Sequence, residues 1–343
     1  MASDSTMAPH VFRNVLDVCI IGAGPAGLSA ALSLGRVLRS AVVFDSGDCK
    51  AHIVSRIGGA HHQDNPSLIR NGLKAELQRK YKTIMFAKTG ARTVRETGPV
   101  FEVEDENGRY WKSRKVILAT GTRDVLPDVA GYKECWGKGM SVLQKTVDLS
   151  SCLQVHRFNC MHRSGFEKFG AVNAAVLLSS CSNASLSDAI SCGQLARQFS
   201  TNICLLTNGT GSPTLGDIQK AAEIHSLKVD DRKIRILQTL GYDTDASMVV
   251  EFEDGTTSSF GFLFHKPDTV PSGSFAEQLE LETTPTGDVS ISGFMQETSR
   301  RGVFAAGGCA TQVQQVSVAM GAGCAAGVGA NAQILQDDFE KDR

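Results

Sequence analysis

The stretch Val18-Cys19-Ile20-Ile21-Gly22-Ala23-Gly24-Pro25-Ala26-Gly27-Leu28 constrains the fold more than any other. An apolar run ends in G-x-G-x-x-G and continues into an alanine-rich segment, Ala26 to Leu38, whose composition predicts a helix. Each glycine has a physical task. Gly22 permits the tight turn, Gly24 lets a pyrophosphate approach the backbone, and Gly27 lets the helix pack closely on the strand. Free N–H groups at the helix start then face the phosphates. Alone the pattern is weak, but here a second strand follows, Ala41-Val42-Val43-Phe44. It ends in Asp45, 18 residues past Gly27, where an acidic residue holds a ribose hydroxyl. A glycine-rich turn in some other α/β protein is the weaker reading. The chain opens on a dinucleotide site.

At 343 residues there is room for two domains. Charged residues make up 21% with a net charge of −1, which argues against a broad electrostatic hold on nucleic acid or an anionic membrane. No apolar run approaches the ~20 residues that span a bilayer. The first ten residues are polar, without a hydrophobic signal region, and read as a disordered lead-in. A cytoplasmic protein is expected. Ten cysteines, at 19, 49, 135, 152, 160, 181, 192, 204, 309 and 324, include no C-x-x-C, so neither a metal site nor a disulfide framework is expected. Cys19 and Cys204 lie in apolar strand patterns and read as small core residues.

Along the chain, Pro66 opens a helix over Ser67 to Lys80, with Leu68, Leu73 and Leu77 on one face. His61 and His62 precede it on a loop, as a proton relay or simply as polar loop residues. Lys88 to Val94, Val100 to Asp105 and Arg109 to Lys112 read as a meander turned at Asn107-Gly108. A separate parallel strand, Val116 to Gly121, follows. Residues 123–127 cross into a second domain with a strand at Ala171 to Leu178, a helix across Leu186 to Phe199 and a strand at Asn202 to Leu206. A helix near Asp217 to His225, a hairpin at Glu253 to Thr256 and a strand at Phe260 to Phe264 complete it. Lys266-Pro267 marks the return. Gly302 to Cys309 then leads into a small-residue helix from about Val313 to Leu335. Its glycines, each costing roughly 1 kcal/mol against Ala, imply close packing on a ligand or another backbone.

GAGPAG at 22–27, ILATGT at 117–122 and GVFAAGGC at 302–309 together resemble the thioredoxin-reductase-like flavoproteins, over nearly the whole chain. Asp45-Ser46-Gly47 and Glu297-Thr298-Ser299 look most like the fungal branch that includes the gliotoxin dithiol oxidases. The resemblance implies two Rossmann-like three-layer ββα domains. An FAD domain would be formed by residues 11–125 and 267–343, with a degenerate nicotinamide-type domain, 126–266, inserted between. It also implies a homodimer acting on a small molecule, and FAD contacts from Gly22, Gly24, Pro25, Ala26, Gly27, Asp45, Ser46, Lys50, Val94, Thr120, Gly121, Gly307 and Gly308. Val94 would lie by the adenine, and Gln315 and Val316 by the isoalloxazine ring.

Three departures bear on function. Where the family carries C-x-x-C, this chain reads Cys160-Met161-His162-Arg163, so Arg163 replaces the flavin-proximal sulfur. A dithiol relay needs a second thiolate to resolve the mixed disulfide. After the strand at Ala171 to Leu178 the expected glycine-rich turn is Ser179-Ser180-Cys181-Ser182-Asn183-Ala184-Ser185, so NADPH is not expected to bind. Gly308 replaces an aspartate of the family's FAD site, a contact worth about 1 kcal/mol.

The favoured expectation is an FAD-dependent oxidase or dehydrogenase that takes a hydride from a small organic substrate. O2 would be the acceptor, in a tailoring step of fungal secondary metabolism. Arg163 would anchor an anionic substrate or reduced flavin, with His61, His62, His156 or His162 as base. One alternative is a dithiol oxidase using Cys160 alone; another is a redox-inactive fold that isomerises, cyclises or only binds a metabolite.

Overall fold

The structure is a computed structural model. It describes residues 15–47, 66–135, 155–156, 170–178, 186–209, 214–239, 248–265, 267–313 and 315–343. These form two compact units, residues 1–123 with 270–343, and residues 124–269. Elements are labelled in chain order.

In the first unit, β1 (Val15–Ile21), α1 (Pro25–Arg36), β2 (Ala41–Phe44), α2 (Pro66–Lys80) and β3 (Ile84–Ala87) alternate. Next come β4 (Ala91–Thr97), β5 (Val100–Asp105) and β6 (Tyr110–Leu118). The sheet order is β3-β2-β1-β6-β5-β4, with β17 (Val303–Ala305) also on β6. Strands β1, β2, β3, β6 and β17 run parallel, β6 pairing with β1 along its length from Lys112, whereas β4, β5 and the other edge of β6's first half pair antiparallel. The expected third meander strand and the following parallel strand are therefore one continuous strand, β6. It changes partner midway, from β5 at Ser113 to β17 at Val116.

Alternation sorts the side chains into two cores. Val18, Ile20, Ile117 and Phe304 face α1 and α7 (Val316–Lys341), while Cys19, Ile21, Val116 and Leu118 face the meander and α6 (Phe275–Gln278). Helix, sheet and meander make the three-layer ββα arrangement that the family resemblance implies. α7 starts at Val316 and runs to Lys341, later at both ends than its composition predicts. It is long and apolar enough to cross a membrane by length and composition. Its small residues nevertheless form a buried face: a Cβ on Gly323 would fall 2.0 Å from the Ala26 carbonyl oxygen, and one on Gly327 2.8 Å from that of Ala30.

The second unit repeats the plan. Its five-stranded sheet is parallel throughout, in the order Lys228–Asp230, Ser200–Leu206, Ala171–Leu177, Phe262–His265, Val155–His156. The strands are β8 (Val155–His156), β9 (Ala171–Leu177), β10 (Ser200–Leu206), β11 (Lys228–Asp230) and β15 (Phe262–His265). α4 (Leu186–Ala196) and α5 (Thr214–Ile224) cover one face through Ala174, Val176 and Leu205. An antiparallel sheet of β12 (Ile234–Thr239), β13 (Met248–Phe252) and β14 (Thr257–Phe260), with α3 (Tyr132–Cys135), covers the other through Ala175, Leu177 and Leu206. The single strand predicted at Phe260 to Phe264 is two, β14 and β15, separated by Gly261. The connecting strands β7 (Thr122–Val125) and β16 (Asp268–Pro271) pair with each other.

Candidate functional site

Five parallel strand ends lie level across the first unit. Ala87, Phe44, Ile21, Leu118 and Ala305 are neighbours in register. Among the described residues, those assigned to a dinucleotide, Val94 and α7's start apart, follow closely on that row. A ligand crevice is expected at the carboxyl ends of such strands.

At β1 the chain turns through Gly22, whose φ of 114° is closed to L side chains and whose N–H donates to the Phe44 carbonyl at 3.2 Å. A Cβ on Gly22 would lie 2.3 Å from the Ala119 carbonyl oxygen, and one on Gly27 1.9 Å from that of Gly22. Both glycines are there for backbone approach. Gly24 caps α1 with no side chain in the way, and Pro25 takes the first helical position, where a missing N–H costs nothing. The ladder opens with the Leu28 N–H donating to the Gly24 carbonyl at 3.0 Å, leaving Ala26 and Gly27 to present N–H groups outward.

Across the row, Gly121 has a φ of 67° and open space where its Cβ would stand. Gly307 has a φ of 81°, and a Cβ there would meet Ala26 at 3.0 Å. Thr120, Gly121 and Gly308 are half-buried beside buried residues just past the strand ends, and Gln315 is half-buried. Gln315 caps α7, and Val316 begins it. α7 lies alongside α1 in the same direction, since Gly323 meets Ala26, Gly327 meets Ala30, and Arg39 Nε just past α1 donates to Asn331 Oδ1 at 2.8 Å. Both N-termini therefore point to the strand-end row, and their positive dipole ends suit an anion.

Asp45 follows β2, nearly buried. Its Oδ1 accepts from the Gly47 N–H at 3.1 Å and from Arg70 at 2.5 Å; its Oδ2 accepts from Lys74 at 2.5 Å. Burial pushes the carboxyl up, but the Lys74 hydrogen bond, the Arg70 charge and the Gly47 N–H together hold it below the usual carboxylate range. Arg70 and Lys74 went unnoticed in sequence. Their signal was an i, i+4 cationic pair beside the apolar Leu73 and Leu77. Val94 is buried with Phe44 in the meander core, and its N–H donates to Gln278 Oε1 at 2.7 Å. Ser46 is exposed.

Lys50, His61, His62, Cys160, His162 and Arg163 lie outside the described residues, as do the lead-in, Lys266 and the Ser179 to Ser185 turn. His156 is placed on β8, in register with Phe264, with no side-chain placement. No cluster that could hold a metal occurs among the described residues.

The glycine cradle and paired helix N-termini fit FAD: close approach is built where a pyrophosphate would need it, and Asp45 at the end of β2 is a residue that would hold a ribose. Fold and site define an FAD-dependent oxidoreductase, and residues 16–157 match the pyridine nucleotide-disulphide oxidoreductase family. The thioredoxin reductase sirT of Leptosphaeria maculans is 36% identical over 95% of this chain and 96% of its own. The thioredoxin reductase tcpT of Claviceps purpurea is 32% identical over 94% and 96%. An oxidoreductase of Agrobacterium tumefaciens superposes with a TM-score of 0.75 at 27% identity, over 94% of this chain and 99% of that one. The chain belongs to the thioredoxin-reductase-like FAD oxidoreductases.

Proposed function

We propose that this enzyme oxidises a small organic substrate directly at its flavin, as a tailoring step of fungal secondary metabolism, with O2 as final acceptor and no NADPH. The observation that carries the reading is a sequence with Arg163, not a second cysteine, at the relay position, in a chain whose Gly22 to Gly27 turn keeps its close backbone approach. One sulfur cannot close a relay disulfide within that motif. In sequence the turn after β9, Ser179 to Ser185, holds no glycine, and its side chains oppose the close approach of a second dinucleotide's pyrophosphate.

Bound FAD supplies the electron-pair acceptor. The chain's own part is to hold the cofactor through Gly22 to Gly27, Asp45, Thr120 to Gly121 and Gly307 to Gly308. Arg163 fixes an anionic group by its permanent charge, and a histidine of the set His61, His62, His156 and His162 removes the substrate proton. Anaerobic mixing of holoenzyme with candidate metabolites tests this. Bleaching of the flavin band by a substrate without thiols supports it, and no bleaching by any of them sinks it.

The names of the relatives favour a second reading, the oxidation of a substrate dithiol. Cys160 and one substrate thiol would join as a mixed disulfide, their two electrons and two protons passing to bound FAD. The substrate's second thiolate would then attack its own sulfur in that bond, releasing Cys160 as a thiolate and the substrate as its disulfide, with O2 as final acceptor. Cys160→Ser separates the two: full retained turnover excludes the thiol route, and complete loss excludes the first reading. A cytoplasmic homodimer accompanies either proposal.

A further inference from the structure

We propose that Arg70 is a positioning residue of the FAD site, clamping the phosphate turn and the Asp45 carboxylate in one register. Lys74 is then the counter-ion that leaves Asp45 when the adenosine ribose docks. The inference rests on reading Asp45 as the ribose-binding carboxylate.

Arg70 is 9% exposed. Its Nε donates to the Ala23 carbonyl at 3.0 Å and its Nη2 to Asp45 Oδ1 at 2.5 Å. Ala23 sits inside the G-x-G turn and Asp45 at the end of the next strand, so one planar guanidinium ties two separate walls of the crevice. The fixed fork of arginine suits that task, and the single point charge of lysine does not. Lys74 differs from Arg70 in every respect that matters. Its side chain is more exposed, it reaches only Asp45 Oδ2, and it lies over the Phe86 ring at 5.3 Å.

Counting lone pairs shows which partner must move. A carboxylate offers about four acceptor positions. Among the described residues, Gly47, Arg70 and Lys74 take three on Asp45, leaving one, on Oδ2. A ribose diol that donates both hydroxyls needs two. The Gly47 N–H is fixed by its backbone and Arg70 by its second bond to Ala23, so Lys74 gives way. Before the cofactor arrives, the two cations neutralise a nearly buried charge and keep the walls at their working spacing. A site already shaped loses less order on binding.

The test is titration of the apoprotein with FAD, and separately with ADP, which probes the adenosine half without flavin. Asp45→Asn is expected to weaken both ligands roughly tenfold, the loss of about one charge-assisted hydrogen bond. Arg70→Met should match it, Arg70→Lys should recover part of the loss, and Asp45→Asn/Arg70→Met should be no weaker than the worse single variant. Lys74→Met should tighten binding severalfold. Apoprotein melting temperatures identify any variant that fails to fold, and Arg70→Lys then carries the comparison. If Asp45→Asn binds like the parent, the ribose reading falls and the inference with it. If Asp45→Asn weakens binding while Arg70→Met does not, or the two losses add in the double variant, Arg70 does not act through Asp45. A Lys74→Met loss equal to that of Arg70→Met overturns the displaceable counter-ion.

Discussion

Gly27 and Gly121 are both glycines of the crevice, but for opposite reasons. A Cβ on Gly27 would sit 1.9 Å from a backbone oxygen, whereas one on Gly121 would meet nothing within 4 Å. Gly27→Ala is therefore expected to cost at least about 1–3 kcal/mol by overpacking and to release FAD, read by melting temperature and flavin content. Gly121→Ala should cost only about 1–2 kcal/mol, for holding an L side chain at positive φ. Gly308 offers a gain instead. Restoring the family's carboxylate with Gly308→Asp should tighten FAD by up to roughly tenfold in a flavin-fluorescence titration. Residues of this kind announce themselves in sequence, because glycine spacing reports backbone approach. Arg70 and Lys74 did not. An i, i+4 pair of cations reads as a solvated helix face until Asp45, 25 and 29 residues away, is seen against it.

At the scale of elements, α7 separates glycines that pack from glycines that do not. Gly323→Ala places a methyl group 2.0 Å from the Ala26 carbonyl and should destabilise by about 1–3 kcal/mol. Gly321 has nothing within 4 Å, so Gly321→Ala should stabilise by about 1 kcal/mol through helix propensity alone. Thermal denaturation of the two single variants decides the matter; shifts of the same sign would refute the packing assignment. The glycine-rich composition did point to close approach here, though not to which backbone or at which residues. β6 was harder to read, because its midsection Lys112-Ser113-Arg114-Lys115 looks like a loop. It continues as strand because Ser113 is buried, its hydroxyl donating to the Lys115 carbonyl at 2.8 Å. Lys115 in turn reaches Asp337 at 2.6 Å. Periodicity has no access to a partner more than two hundred residues away.

For the first unit as a whole, such long-range ion pairs join its two chain segments. Lys115 and Arg301 both bind Asp337, while Arg114 binds Asp338 at 2.5 Å and approaches Asp17 at 3.9 Å. Burial pushes the Asp337 carboxyl up, but hydrogen bonds from Lys115 and Arg301, with their charges, pull it further down, to a net position below the usual carboxylate range. A carboxylate held lower in the folded state gives its full stabilisation above the unfolded value and loses it as pH falls through the folded one. Melting temperature should therefore decline on acidification below about pH 4. Asp337→Asn should flatten that decline and cost about 1–2 kcal/mol at neutral pH.

The pairing of α1 with α7 also sets an order of events during synthesis. The ribosome releases Ala26 and Ala30 long before Gly323 and Gly327 exist to cover them, and the second unit, residues 124–269, is finished in between. The nascent chain therefore carries a half-built nucleotide crevice with a bare helix flank until its last helix emerges. Flavin loading is thus expected to wait for α7, and a chain cut before Val316 is expected to carry no flavin, read from its absorbance.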